Sequence, residues 1–294
     1  MIGVDWGTSS FRAFRLGGDG GILDRRASSR GILHIEPGGF ADALNAEIGG
    51  WLADGESRVL LCGMVGSRQG WQEAPYLPCP AGAPDLAGAL ADVAFAGARL
   101  KLVPGLSDAD AAGIPEVMRG EETQLIGALP AIGRDGVACL PGSHCKWARI
   151  ADGRIAGYTT HLTGEAYAAL RGHTILGRMM RDGPTELAAF DQGAARSADA
   201  GGLLHHLFGV RTLGLFGRLA EIEAASYLSG LLIGHEVRAA LAGSPDAEIH
   251  LIGAPKLCAL YARAVGAAGC RAIRQDADAA ARGLALIGGL AQWN

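Results

Sequence analysis

The sequence predicts an α/β chain built from two halves that open alike, and three observations carry that expectation. Short apolar runs that empty into glycine-rich turns alternate with stretches of helical spacing. The strand–turn–strand–turn–strand unit at the N-terminus recurs, in the same order, from Val137 onward. With 294 residues, 49% hydrophobic and 19% charged, the chain is long and apolar enough for two packed domains rather than a disordered polymer.

Met1 to Asp5 reads as a buried strand running into the small-residue turn Trp6-Gly7-Thr8-Ser9-Ser10. Phe11 to Leu16 alternates as a second strand. Gly17 to Gly21 contains an Asp-Gly hairpin turn, and Ile22 starts a third strand. Phe40 to Trp51 has helical spacing, and Val59 to Gly63 is another buried strand. A Gly/Pro-rich stretch from Met64 to Pro84 follows, then a strand over Arg99 to Val103. Pro115 to Leu129 reads as a helix with proline at its start.

Val137 to Leu140 then repeats the opening strand, followed by Pro141-Gly142-Ser143-His144-Cys145-Lys146. Trp147 to Ile150, Asp152-Gly153 and Arg154 to Tyr158 complete the echo. Gly7 and Gly142 are 135 residues apart, and Asp19-Gly20 and Asp152-Gly153 are 133 apart. A single glycine turn matches by chance; five elements in one order do not. Helical stretches over Leu187 to Ala198 and Arg218 to Leu241 follow. Ile249 to Ile252 is a strand, Gly253-Ala254-Pro255 leads a helix to Val265, Cys270 to Arg274 is a strand, and a helix over Ala277 to Ala291 closes the chain.

Composition removes several classes of function. A formal net charge of −4 leaves no basic footprint for nucleic acid. The six cysteines are scattered without a Cys-x-x-Cys pair, which excludes zinc ribbons and thioredoxin-type motifs. No signal peptide is expected, since the chain opens directly on a strand, and no apolar run reaches membrane-spanning length. A soluble, reducing, cytoplasmic setting is the expectation. P-loop, Gly-x-Gly-x-x-Gly, Gly-x-Ser-x-Gly and His-Glu-x-x-His motifs are all missing.

The remaining chemistry lies in the turns. Glycine at position 7 lets backbone approach a phosphate, and the N–H groups and hydroxyls of Thr8 and Ser9 supply donors. Asp5, at the strand end, suits hydrated Mg²⁺ better than phosphate. A ligand-free Gly-Thr/Ser turn is common, but its repeat at Gly142 and Ser143 favours a clamp on polyphosphate. Lys146, one of only three lysines, could neutralise phosphate or be a strand-edge surface lysine. His144 could donate to phosphate or be a hydrogen-bonded turn residue. Glu121 and Glu122 could accept a hydroxyl proton or simply form an acidic first turn favoured by the helix dipole. The long loop Gly63 to Tyr76 mixes aromatic, amide and charged residues and suits a polyhydroxylated acid, with Arg68 or Arg12 available for a carboxylate. Thr163-Gly164-Glu165 could contact substrate or cap a helix.

Taken together, Val4 to Ser9, Gly63 to Tyr76, Met118 to Gln124, Leu140 to Trp147 and Leu162 to Glu165 resemble the 2-dehydro-3-deoxygalactonokinase family. The resemblance covers nearly the whole chain in order. It implies two duplicated ribonuclease-H-like domains, the fold of actin, sugar kinases and heat-shock ATPases, with ATP in an interdomain cleft. It implies transfer of the ATP γ-phosphoryl to the 6-hydroxyl of 2-dehydro-3-deoxy-D-galactonate, with Mg²⁺ held at Asp5. Gly7, Thr8 and Ser9 would form the first phosphate motif, and Gly142, Ser143 and His144, with Lys146, the second. Gly253, Ala254 and Lys256 would bind adenosine. Arg12, Ser67, Arg68, Gln69, Trp71, Tyr76, Arg119 and Glu165 would meet the sugar acid, and Glu121, with Glu122 held open, would be the base. Ser143 and Cys145 stand where the family often shows Thr and Ser. The expected domains are residues 1–125, with the first phosphate motif and sugar-acid site, and 126–294, with the last helix free to return to the first. The expected partner is a small-molecule sugar acid, with no nucleic acid or membrane, and a homodimer is compatible. The rival readings are another sugar kinase or an exopolyphosphatase on the same fold, and a non-catalytic ATP-binding regulator.

Overall fold

The structure is a computed structural model and describes residues 1–242 and 247–293. The chain divides into two compact units. The first comprises Met1–Asp135, Ala148–Tyr158 and Asp276–Asn294, and the second Gly136–Trp147 and Thr159–Gln275.

The first unit opens with β1 (Ile2–Trp6), β2 (Phe11–Leu16) and β3 (Ile22–Ser28), then α1 (Phe40–Ala53) and β4 (Arg58–Cys62). β5 (Tyr76–Pro78), α2 (Ala83–Gly88), β6 (Ala91–Val93), β7 (Arg99–Leu102), β8 (Gly105–Ala109), β9 (Pro115–Met118) and α3 (Glu121–Ile132) follow. After these come β10 (Gly136–Leu140), β11 (Cys145–Ala151), β12 (Arg154–His161), α4 (Thr163–His173), α5 (Leu187–Arg196), α6 (Gly202–Leu215) and α7 (Ala224–Ala240). β13 (Glu248–Leu251), α8 (Pro255–Ala267), β14 (Arg271–Arg274) and α9 (Ala279–Leu290) end the chain.

The two principal sheets have one topology. The first runs β3-β2-β1-β4-β7-β6 and the second β12-β11-β10-β13-β14. In the first, β1, β2 and β3 are antiparallel neighbours, whereas β1, β4 and β7 are parallel. In the second, β10, β13 and β14 are likewise parallel. The internal echo in the sequence is therefore a duplicated sheet, to which the first copy adds β6 as an antiparallel edge. Both Asp-Gly turns form as expected. Asp152 and Gly153 take φ of 52° and 72°, the two positive values that a tight hairpin needs.

β1 is buried along its whole length, as a strand central to its sheet requires, and Trp6, Phe11, Leu44, Ile48 and Leu61 belong to one core with it. In the second unit Cys139, Cys145, Phe190, Val237, Leu251 and Tyr261 share another. Each unit also holds one pair of helices in backbone contact. A Cβ on Gly127 would fall 1.9 Å from the Ala279 carbonyl oxygen, and one on Gly283 1.8 Å from that of Thr123, so α3 and α9 cross through reciprocal glycines. Gly193 and Gly230 do the same for α5 and α7, at 2.1 Å from Tyr227 O and 1.9 Å from Phe190 O.

Two sequence expectations give way. Pro115 does not start a helix; it starts β9, the edge strand of a small β5-β8-β9 sheet, where its missing N–H costs no ladder bond. The helix begins six residues later because Gly120, at φ 105°, turns the chain first. The expected helix from Arg218 also starts late: the Ala220 N–H donates to Glu223 Oε2 at 2.9 Å in a turn, and α7 begins at Ala224. α6, ahead of it, was not expected as a separate element. No described helix is long and apolar enough to cross a membrane.

Candidate functional site

In the first unit the chemistry gathers where β1 and β4 end. Asp5 faces Arg12 across the β1–β2 ladder and accepts a hydrogen bond from its guanidinium. Burial works against the Arg12 cation, but Asp5 more than offsets it, and the Arg12 pKa is raised. Beyond Asp5 the turn Gly7 to Ser10 is closed by the Gly7 N–H donating to the Ser10 carbonyl at 2.9 Å. Gly7 and Thr8 carbonyls accept from the N–H groups of Ile32 and Leu33. The backbone of Gly31 presses so close that a Cβ there would lie 2.3 Å from Thr8 O. The turn is thus fixed, while the side chains of Thr8, Ser9 and Ser10 stay exposed.

Gly63 follows β4 at φ 93°, and a Cβ there would meet Trp6 O at 2.8 Å and Asp5 Oδ1 at 3.2 Å. A Cβ on Gly120 would in turn fall 3.0 Å from Gly63 Cα. Two glycines in conformations that disfavour side chains therefore bring the start of α3 onto the carboxylate end of β1.

The acidic pair opens α3. Glu121 is half-buried, and its Oε2 accepts the Arg119 N–H at 3.0 Å. Glu122 is fully buried; its Oε2 accepts the Gly120 N–H at 2.6 Å and its Oε1 the Thr123 hydroxyl at 2.9 Å. Burial first, and the neighbouring Glu121 charge second, push the Glu122 pKa up to about 8. The same burial raises the Cys62 thiol well above its usual range, with Asp5 and Glu122 adding to it. Two adjacent glutamates have been given unlike surroundings: one carboxylate reachable, the other sealed.

Beside them lies Arg119, 7% exposed. Its Nη2 donates to the Ala74 carbonyl at 2.7 Å, and its guanidinium carbon sits 4.3 Å from the Tyr76 ring centroid. Among the described residues its Nε and Nη1, and the buried Ser67 Oγ, have no hydrogen-bond partner. The rest of the Gly63–Tyr76 loop divides. Arg68 is exposed and pairs with Glu73 at 3.0 Å. Trp71 stacks on Phe40 with centroids 6.2 Å apart and meets Phe95 edge-on, so it anchors the loop to the core. Gln69 and Trp71 line a small cavity of about 290 Å³ with Ile35 and Phe40.

In the second unit the turn Gly142 to His144 packs on the start of α4. A Cβ on Gly164 would fall 2.4 Å from Gly142 O, and the Glu165 N–H donates to Ser143 O at 3.1 Å. His144 Nε2 and Glu165 Oε2 are 2.5 Å apart, which ties the turn histidine to the glutamate. Ser143 is exposed, whereas Lys146 is 4% exposed on β11. Cys145 points inward, its sulfur 3.6 Å from that of Cys139, so it faces the core rather than the turn. Gly253, at φ 146°, comes against Pro141, and Ala254 caps α8, with Pro255 at its first position and Lys256 exposed. A cavity of about 300 Å³ opens here, lined by Gly142, Gly164, Tyr167, Leu257 and Tyr261 among others, with Arg171 and Arg181 also on its wall.

Comparisons with known proteins give the family of the chain. The profile of the family described as 2-keto-3-deoxy-galactonokinase matches residues 5–287. A probable 2-dehydro-3-deoxygalactonokinase from Rhizobium meliloti (strain 1021) is 38% identical over 285 residues, 95% of this chain and 93% of that protein. The 2-dehydro-3-deoxygalactonokinase of Escherichia coli (strain K12) is 34% identical over 92% of this chain and 90% of its own. The chain belongs to the 2-keto-3-deoxy-galactonokinase family. A crystal structure from Sinorhizobium meliloti carrying the same name provisionally superposes with a TM-score of 0.89 at 37% identity, covering 98% and 97% of the two chains. The activator of 2-hydroxyisocaproyl-CoA dehydratase from Clostridium difficile, solved with bound ADPNP, shares the fold at a TM-score of 0.53 and 12% identity. The (R)-2-hydroxyglutaryl-CoA dehydratase component A of Acidaminococcus fermentans shares the fold as well, at a TM-score of 0.55 and 11% identity.

Within that family frame, part of the site was invisible from sequence. Tyr167, Arg171, Arg181 and Tyr261 sit in ordinary helical or loop stretches, and only their convergence on one cavity marks them. Glu236 is buried on α7 and accepts from Trp147 Nε1 at 2.7 Å and the Tyr261 hydroxyl at 2.6 Å, bracing that wall. A lone glutamate in an apolar helix was the one available signal.

Proposed function

We propose that this chain is an ATP-dependent 2-dehydro-3-deoxygalactonokinase, moving the γ-phosphoryl of ATP to the 6-hydroxyl of 2-dehydro-3-deoxy-D-galactonate in galactonate catabolism. What supports this most is the family match over residues 5–287, falling on a chain whose two duplicated sheets each lead into a glycine–hydroxyl turn. In the transfer the bond from the γ-phosphorus to the bridging oxygen breaks, ADP leaves with that oxygen, and the sugar oxygen takes its place. The hydroxyl proton needs an acceptor.

Glu121 is the better acceptor. Its carboxylate is half-buried and reachable, whereas both oxygens of Glu122 are engaged by Gly120 and Thr123 in a sealed site. Glu122 instead holds the Gly120 turn from which Glu121 projects. Thr8, Ser9 and Ser143 offer exposed hydroxyls to phosphates, and Gly7 and Gly142 keep the backbone close. His144 and Lys146 belong to the second phosphate motif, and Gly253, Ala254 and Lys256 to the adenosine motif; the apolar cavity beside them suits the base.

Asp5 fits Mg²⁺: it is a hard oxygen donor at a strand end, next to the fixed phosphate turn. Bound there, Mg²⁺ would offset the negative charge of the phosphates. Arg119 is the residue most suited to the sugar-acid carboxylate, because two of its nitrogens lack partners while Arg12 is held by Asp5 and Arg68 by Glu73. Tyr76, Ser67, Gln69, Trp71 and, in the second unit, Glu165 complete the proposed set. Residues 1–125 and 126–294 are proposed as the two functional halves, in a cytoplasmic enzyme.

The test is release of ADP in a coupled assay with 2-dehydro-3-deoxy-D-galactonate, its C4 epimer, inorganic polyphosphate and no acceptor. Acceptor-dependent ADP with the galactonate derivative is expected. No ADP above the acceptor-free rate would end the proposal, and phosphate release from polyphosphate alone would replace it.

A further inference from the structure

α6 carries no acidic residue and a single cation, Arg211, in the run GLLHHLFGVRTLGL. One of its faces packs inward through His206, Leu207 and Val210. The opposite face is also apolar. Leu204, Phe208 and Leu215 are 85%, 59% and 58% exposed, and Phe216, which caps the helix, is 80% exposed. A helix that is apolar on both sides is ordinarily covered on both sides. Residues 204, 208, 211 and 215 are spaced four, three and four apart, the spacing of a coiled-coil seam.

We propose that this face of α6 pairs with α6 of a second copy of the chain, antiparallel about a two-fold axis between residues 209 and 210. The pattern is self-complementary about that axis. It exchanges position 204 with 215 and 208 with 211, so each Leu204 meets a Leu215 and each Phe208 ring meets an Arg211 guanidinium. Isologous contacts require this reciprocity. Arg211 has no acidic partner among the described residues, and a cation over an aromatic face is a favourable pairing. The area suffices as well. At about 200 Å² for a large apolar side chain, Leu204, Phe208, Leu215 and Phe216 together offer roughly 550 Å² per copy. Two copies therefore bury roughly 1,100 Å² of apolar surface alone, above the ~1,000 Å² expected of a specific interface.

The full-length protein is examined by light scattering after size exclusion, at concentrations from sub-micromolar to tens of micromolar. Twice the chain mass is expected for the wild type. Phe208→Arg sets cation against cation and is expected to give monomers at wild-type melting temperature, since the side chain is largely exposed. Adding Arg211→Glu to Phe208→Arg restores opposite charges across the axis and is expected to restore the dimer. A Leu204→Cys, Leu215→Cys variant is expected to form a covalent dimer on mild oxidation. A monomeric wild type overturns the proposal. So does a dimer indifferent to Phe208→Arg, a Phe208→Arg, Arg211→Glu variant that stays monomeric, or a Leu204→Cys, Leu215→Cys variant that does not cross-link. Activity is not the readout, so the result stands apart from the proposed reaction.

Discussion

Arg12 stands directly across the β1–β2 ladder from Asp5 and holds its carboxylate through a guanidinium contact. The carboxylate is thereby aimed by a residue on the neighbouring strand rather than by a loop. Asp5→Asn should leave the fold intact, lower kcat by about 10²-fold or more, and raise the Mg²⁺ concentration needed for half-maximal rate. Arg12→Ala should show a smaller loss in the same direction. Mg²⁺ titrations of ADP release check both, and an unchanged Mg²⁺ requirement in Asp5→Asn would remove Asp5 from the metal site.

The two glutamates of α3 should separate cleanly. Glu121→Gln should cost roughly 10²–10⁴-fold in kcat with little change in KM for ATP, the range for loss of a general base. Glu122→Gln should retain most of kcat. If Glu122→Gln is the more damaging in turnover while nucleotide affinity holds, the assignment reverses.

Glu122 also sets a pH dependence of stability. Its pKa is raised from 4.5 to about 8 on folding, so between these values the folded state holds more protons than the unfolded one. Stability from this group is full below about 4.5 and falls as pH rises toward about 8, the reverse of a salt-bridged carboxylate. Calorimetric melting of the wild type should therefore decline across that interval by an amount on the order of a few kcal/mol. Glu122→Gln should flatten the decline, and identical slopes would show that Glu122 titrates normally.

Arg119 should decide carboxylate recognition. Arg119→Gln should raise KM for the sugar acid by about 10²-fold, equivalent to ~3 kcal/mol for a charge-assisted pair, and leave KM for ATP near its wild-type value. Tyr76→Ala should raise the same KM less. Steady-state kinetics with each substrate varied will show it; an equal rise in both constants points to a merely structural arginine.

Gly230 allows no side chain. A Cβ there would stand 1.9 Å from Phe190 O, against backbone that cannot move without shifting α5. Gly230→Ala should destabilise by about 3 kcal/mol, at the upper end of overpacking effects, as read by denaturant melting. A loss within experimental error would mean the helices slide apart freely.

What could be read beforehand follows the reach of each signal. The Asp-Gly turns and the apolar runs between them are local, so β1 to β3 and their repeat at β10 to β12 were legible, whereas the order in which β4, β7, β13 and β14 join the two sheets is non-local and was not. Gly120 shows the limit. Its positive φ ends β9 and starts α3, but a glycine between arginine and glutamates looks like any helical residue in a sequence. Arg119 is a sharper case. Its burial involves Ala74 and Tyr76, more than forty residues earlier, so nothing near it announced that its Nε and Nη1, rather than the guanidinium of Arg12 or Arg68, would be left without hydrogen-bond partners. The cavity wall of Tyr167, Arg171 and Tyr261 was likewise hidden, since it is assembled from two helices, α4 and α8, far apart in the chain.

The crossing of α3 with α9 governs the order in which the molecule can come into being. α9 belongs to the first unit, and Gly283 lies against the Thr123 carbonyl while Leu284 lies against Gly3. A ribosome delivers these residues after every segment of the second unit. The unit that carries Asp5 and Glu121 must therefore wait, partly unpacked, for α9, whereas all the segments of the second unit precede α9 in the chain. The half that starts first finishes last.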